Sequence, residues 1–317
     1  MTFRDALYER ARRAGRRIVL PEGDDPRVQD AARRLERERL GVVEVLGRPL
    51  PASRIPLLVR HLRARHPDRF PSDETARVAL QHPLTFGACL VGLGEADVMV
   101  GGATFPSGDT IRAALWAVGA APGITTVSGA FYMVRDDAVL TFTDCAVVPE
   151  PMPEQLADAA LAAARDRRRI VGDEPVVAFL SYSTKGSAAG PRVERVRRAV
   201  EILAARRPRP DFAFDGELQT DAALVPEVAA RKVPGHGGGG GGGGRARAAG
   251  RANVLVFPDL DSGNIGYKLV QRLGGWEAIG PILQGLARPV ADLSRGATAD
   301  DIVDTAAVAV LQAGERT

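Results

Sequence analysis

Short apolar runs alternate with helical segments along nearly all of this chain, and that alternation leaves few folds open to it. Residues 17–20 and 42–46 read as short strands. Between them a Gly-Asp-Asp-Pro turn leads into a helix over about 26–39, with Pro26 suited to its first position. Helices are expected over 54–65, 72–80 and 84–94, a strand over 98–100, and then a helix from Asp109, which reads as its N-cap. Runs 124–134 and 138–143 read as paired strands joined by Arg135-Asp136-Asp137. After the Pro-rich stretch 149–153 the pattern restarts, with helices over 153–167, 191–206, 221–231 and 263–273 and strands over 175–180, 211–215, 253–257 and 278–283. A last helix is expected over 300–313. Such alternation predicts an α/β architecture rather than a repeat array.

At 317 residues and 45% apolar content, the chain can bury one large core or two ordinary ones. The net charge of +3 is mild. Its basic residues are nearly all Arg, with Lys only at 185, 232 and 268, and acidic residues are almost as numerous. That balance argues against nucleic-acid binding. The run Arg165-Asp-Arg-Arg-Arg169 falls at a helix end, where cations favour the macrodipole. The two cysteines, Cys89 and Cys145, form no C-x-x-C pair and fit a reducing cytoplasm. Histidines 61, 66, 82 and 236 lack metal-ligand spacing. The Arg-rich start reads as a first helix, since it lacks an apolar signal core. No segment reaches about 18 uncharged apolar residues, so no membrane partner is expected.

Chemistry concentrates in 281–304, where Ser294, Arg295 and Asp301 fall within eight positions on a turn entering a helix. A hydroxyl, a fixed cation and a base suit a reaction in which an anion leaves and a proton is removed. Arg binds phosphate oxygens bidentately and stays charged, and a helix N-terminus adds N–H donors. Thr298-Ala-Asp-Asp301 also fits a capping box. Capping and catalysis both stay open for Asp301.

Several runs carry a family resemblance: LPEGDDPRV (20–28), ADVMVGGATFPSGDTIRAAL (96–115), FTDCAVVPEPMPEQLADAAL (142–161), STKGSAAG (183–190), DFAFDGELQTDAA (211–223), PDLDSGNIGYKLVQRL (258–273) and DLSRGATADDIV (292–303). In this order the chain resembles the phosphotransacetylases, a family that includes phosphate butyryltransferases. The resemblance implies two α/β domains similar to the isocitrate/isopropylmalate dehydrogenase-like fold, with the active site in the cleft between them. The domains would be residues 1–148 with 290–317, and residues 149–289. It further implies reversible acetyl transfer between acetyl phosphate and coenzyme A in a ternary complex. Asp301 would deprotonate the thiol, Ser294 would hydrogen-bond the oxyanion, and Arg295 would hold the phosphate with help from Arg112. A further family arginine matches Arg63, or alternatively Arg65.

No metal or cofactor is implied, coenzyme A being a substrate. The family implies a cytoplasmic homodimer acting in acetate metabolism. Longer acyl groups (butyryl or propionyl) and a non-catalytic regulatory domain of the same fold are the alternatives.

Ser183-Thr-Lys-Gly-Ser187 resembles a phosphate-cradling loop without being a Walker motif. Lys185 is read either as a contact to coenzyme A phosphates or as part of a cleft edge. The chain departs from the family at Ala291, expected to loosen the turn, and at Ala297 and DCAVVPEP. The largest departure is GHGGGGGGGGRARAAG (235–250), read as a flexible insertion or a local reading-frame change.

Overall fold

The computed structural model describes residues 2–233 and 248–314. Most of the glycine-rich stretch, including His236, therefore lies outside the described residues. The elements run α1 (Phe3–Ala14), β1 (Arg17–Leu20), α2 (Pro26–Arg37), β2 (Val42–Val45), α3 (Ile55–Arg65), α4 (Asp73–Leu80), α5 (Pro83–Leu93), β3 (Val98–Gly101) and α6 (Ser107–Ala117). They continue through β4 (Ser128–Arg135), β5 (Ala138–Thr143), α7 (Pro153–Ile170), β6 (Val176–Leu180), α8 (Pro191–Ala205), β7 (Ala213–Leu218), α9 (Thr220–Leu224) and α10 (Pro226–Lys232). The chain closes with β8 (Val254–Val256), α11 (Leu260–Gly274), β9 (Glu277–Gln284), β10 (Val290–Asp292) and α12 (Ala299–Gln312).

Two compact units emerge, Met1–Gly123 with Ile279–Thr317, and Ile124–Ala278. The division falls before the β4–β5 hairpin and within β9. The reason for the first boundary is pairing. β5 lies parallel to β8 (Thr141↔Val254), so the hairpin belongs to the second unit's sheet.

In the first unit the strands lie in the order β2-β1-β3-β10-β9. The pairs β1–β2, β1–β3 and β3–β10 are parallel, and β9 runs antiparallel to β10. Ile18 pairs with Val98 and Asp292 with Gly101, so the loops after β1, β3 and β10 leave the same edge. Ligand-binding loops favour such carboxyl edges of parallel strands.

Helix α2 shows why the sequence folds this way. Val28, Ala31, Ala32 and Leu35 recur at helical spacing and are all buried. Asp25 caps its start, accepting from the Arg27 N–H, and Pro26 takes the first position. Helix α12 is buried from Ile302 to Gln312, and its Asp304 is held by Arg4 at 2.8 Å and the Tyr8 hydroxyl at 2.6 Å. Burial, with that carboxylate beside it, pushes the Tyr8 phenol well up.

The second unit orders its strands β4-β5-β8-β6-β7. The β4–β5 turn closes at Arg135↔Ala138 with Asp136 at φ +53°, a left-handed turn position that Asp tolerates. Asp144 fastens the end of β5 by accepting from the N–H groups of Gly129, Ala146, Val147 and Val148 at 2.8–3.1 Å.

The Arg run in α7 does more than face a helix end. Arg167 is 2% exposed, pairs with Asp173 at 2.6 Å and donates to the carbonyls of Val139 and Asn253. Both cysteines are buried and unpaired. Burial pushes the Cys89 thiol up to about 12, and burial with the Asp144 charge raises the Cys145 thiol well above its usual range.

Candidate active site

Three loops on the carboxyl edge of the first unit's sheet build the site. Glu22, just past β1, is buried, and its carboxylate accepts from the N–H groups of Gly102 (2.6 Å), Ala103 (3.0 Å) and Thr104 (2.7 Å). It also accepts from the Thr104 hydroxyl at 2.6 Å. One anion thereby shapes the whole β3–α6 loop. Gly102, at φ +99°, has no room for a side chain, because a Cβ there would lie 2.5 Å from Asp292 Oδ1. A cavity of about 290 Å³ opens beside this loop, lined in part by Glu22, Asp25, Arg48 and Thr104.

The β10–α12 turn presents Ser294, Arg295 and Asp301, all exposed. Ser294 Oγ accepts from the Gly296 N–H at 3.2 Å. The capping box expected from Thr298 is present. Thr298 donates to Asp301 Oδ2 through its N–H and its hydroxyl, both at 2.8 Å, and its Oγ1 accepts from the Asp301 N–H at 3.2 Å. Only Oδ2 is engaged, so Oδ1 is left open among the described residues and the two readings of Asp301 do not compete. Arg295 has no carboxylate partner among the described residues. Ala291, expected to loosen the turn, lies fully buried in β10 beside Val100.

The other candidate cations are already paired. Arg112 sits on α6 with Asp109 at 2.8 Å. Asp109 is the third residue of α6, not its N-cap, because the helix begins at Ser107 after the extended Pro106. Arg63 pairs with Asp73 and donates to the carbonyls of Phe70 (3.3 Å) and Pro71 (3.1 Å). Arg65 donates to the Val118 carbonyl at 2.8 Å.

Lys185, in the second unit, pairs with Asp215 and donates to the Gly216 carbonyl at 2.6 Å. Its loop is organised by buried Glu217, which accepts from Ser183 Oγ at 3.0 Å and the Gly186 N–H at 2.9 Å. Burial pushes the Glu217 carboxyl up, but the Arg197 guanidinium and these donors outweigh it and hold it at about 2.

Sequence reading missed Glu22, Arg27 and Asp292. Asp292 is 1% exposed. Burial first, and the Glu22 charge with it, raise its carboxyl to about 6 against nearby hydrogen-bond donors. The unfolded carboxyl titrates near 3.9, so the folded chain holds an extra proton between about pH 4 and 6. Asp292 therefore destabilises the fold progressively as pH rises through that window, by an order of 3 kcal/mol once ionised. Asp292→Asn is expected to melt above wild type at pH 8, with the gap closing towards pH 4. Melting curves at the two pH values test this, and an equal gap at both would rule it out.

Comparison with known proteins places the chain. A phosphate acetyltransferase of Paracoccus denitrificans is 43% identical over 97% of this chain and 98% of that protein. The solved phosphotransacetylase of Streptococcus pyogenes is 39% identical, with a TM-score of 0.86 and 98% of both chains covered. The EutD phosphotransacetylase of Staphylococcus aureus is 37% identical with the same TM-score and coverage. Fold and relatives together define a transferase of the α/β class. The family model described as "Phosphate acetyl/butaryl transferase" matches residues 2–64 and 60–310, and the chain belongs to that family. Among the described residues, no group of side chains is arranged to hold a metal ion, and no helix is long and apolar enough to cross a membrane.

Proposed function

We propose that this chain transfers an acetyl group reversibly between acetyl phosphate and coenzyme A. The observation that carries the assignment is the β10–α12 turn, where an exposed guanidinium and one oxygen of an exposed carboxylate, both without a partner among the described residues, stand beside an exposed hydroxyl. Asp301 Oδ1 takes the thiol proton, which matters because a free thiol titrates near 8.5. The thiolate attacks the acetyl carbonyl carbon and forms a tetrahedral adduct. The Ser294 hydroxyl donates to its oxyanion. The adduct collapses by breaking the carbon–oxygen bond to phosphate, leaving acetyl-CoA and inorganic phosphate, with Arg295 holding the latter. Acetyl phosphate is already activated, so positioning and charge neutralisation are what the protein adds.

Arg112, Arg63 and Lys185 are assigned to substrate phosphates. Each now faces a carboxylate (Asp109, Asp73 and Asp215), so an arriving phosphate exchanges for that partner.

The test is acetyl-CoA formation from acetyl phosphate and coenzyme A, with propionyl and butyryl phosphates beside it. Turnover fastest with acetyl phosphate supports the assignment, whereas a faster longer-chain donor moves it to the acyl neighbours. A folded protein inactive with all three would remove it. The unpaired cysteines suit a reducing cytoplasm, where such a reaction would serve acetate metabolism.

We also assign a homodimer. Along α11, Ile265 (56% exposed), Leu269 (52%) and Leu273 (83%) form an apolar stripe at successive turns, while Gly263 is the one buried residue of the helix. Covering such a stripe with its own copy is the economical solution. Leu269→Glu is expected to shift the protein to monomers in light scattering. A monomeric wild type, or a variant that stays dimeric, would reject this face.

A further inference from the structure

Arg27 lies at the start of α2, more than 260 positions from the β10–α12 turn, yet its side chain ends there. A guanidinium has five N–H donors, and each has an acceptor here. Nε and one Nη2 proton go to the Asp25 carboxylate at 3.1 and 2.8 Å. The other Nη2 proton goes to the Ala103 carbonyl at 2.9 Å. Nη1 donates to the carbonyls of Arg295 at 2.8 Å and Ala297 at 2.9 Å. One rigid fork, itself held by Asp25, thus ties together the loops that follow β1, β3 and β10.

The two carbonyls of the turn decide what this does. In a trans peptide the C=O and the following N–H point in opposite directions across one plane. The Arg295 carbonyl faces Arg27, so the Gly296 N–H faces away, and it donates to Ser294 Oγ. The Ala297 carbonyl also faces Arg27, and the Thr298 N–H on its far side donates to Asp301 Oδ2. We infer that Arg27 is the positioning residue of the transfer reaction, setting Ser294 and Asp301 through two peptide planes while touching neither substrate. The inference rests on the assignment of Ser294 and Asp301 made above. A lysine could not replace it, since an ammonium lacks the planar fork that holds both carbonyls and Asp25 at once.

Arg27→Ala is expected to lower kcat about 10²-fold, the scale of a misplacement near 1 Å, while KM for acetyl phosphate and coenzyme A stays close to wild type. Arg27→Lys should recover only part of the loss. Because part of the effect runs through Asp301 and the rest through Ser294, adding Arg27→Ala to Asp301→Asn should cost clearly less than the product of the two single losses. Amide exchange at Gly296 and Thr298 should accelerate about tenfold in Arg27→Ala, with the core amides unchanged.

Wild-type kcat in the variant overturns the inference, as does a loss that multiplies in full with Asp301→Asn. Unchanged exchange at those two amides in a folded variant overturns it too, and this reading does not depend on turnover. A wild type that makes no acetyl-CoA would defeat the proposed function, while the exchange measurement still decides the role of Arg27. If Arg27→Ala fails to fold, Arg27→Lys carries the same measurements.

Discussion

Acetyl-CoA formation by an Arg295→Ala protein is expected to run about 10³-fold slower than wild type, the scale for removing a charge that meets developing anionic character in a closed site. Stability should change little, because the side chain is exposed and makes no ion pair among the described residues. Inorganic phosphate, a product inhibitor in this scheme, should inhibit the variant much more weakly. Arg295→Lys should recover only part of the rate, since an ammonium cannot take two phosphate oxygens in one plane. Steady-state kinetics with phosphate inhibition decide the matter. Near-normal kcat with unchanged phosphate inhibition would strip Arg295 of its assigned role and move attention to Arg112.

Asp301→Asn should lose about 10²- to 10⁴-fold in kcat, the usual contribution of a positioned base, with little change in KM. The geometry makes this variant discriminating. An amide oxygen still accepts from the Thr298 N–H, so much of the helix cap survives while the basic oxygen is gone. Thr298→Ala does the reverse, removing the capping hydroxyl for about 1 kcal/mol of stability while keeping the carboxylate. Parallel kinetics and melting curves therefore separate the two functions of one side chain. If Asp301→Asn mainly lowers the melting temperature and leaves turnover intact, the carboxylate is a cap and nothing more.

The parts of this molecule legible in advance were those encoded locally. The α12 start could be read because Thr298 and Asp301 are three residues apart and bond to each other. The β4–β5 turn could be read because its turning residues are adjacent. Helix 221–231 was expected whole but breaks into α9 and α10, since Pro226 holds Val225 extended at φ −110°, ψ 114°. Strand β10 went unread because its three residues, Val-Ala-Asp, carry no period of their own.

In the site, Ser294, Arg295 and Asp301 stood in one readable run. Arg27 and Glu22 did not, because their partners lie some 80 to 270 positions away and only the register of three parallel strands brings them together. Their advance signals were a charged pair straddling the turn after the first strand and their place in the run LPEGDDPRV.

The burial of both sulfur atoms has a practical side. A coloured disulfide reagent that reports free coenzyme A would find no competing target in the native enzyme, because Cys89 and Cys145 are enclosed and far from ionising at assay pH. The same reagent reacts once the chain opens, so a single cuvette can follow catalysis at low temperature and unfolding at high temperature without any cysteine replacement.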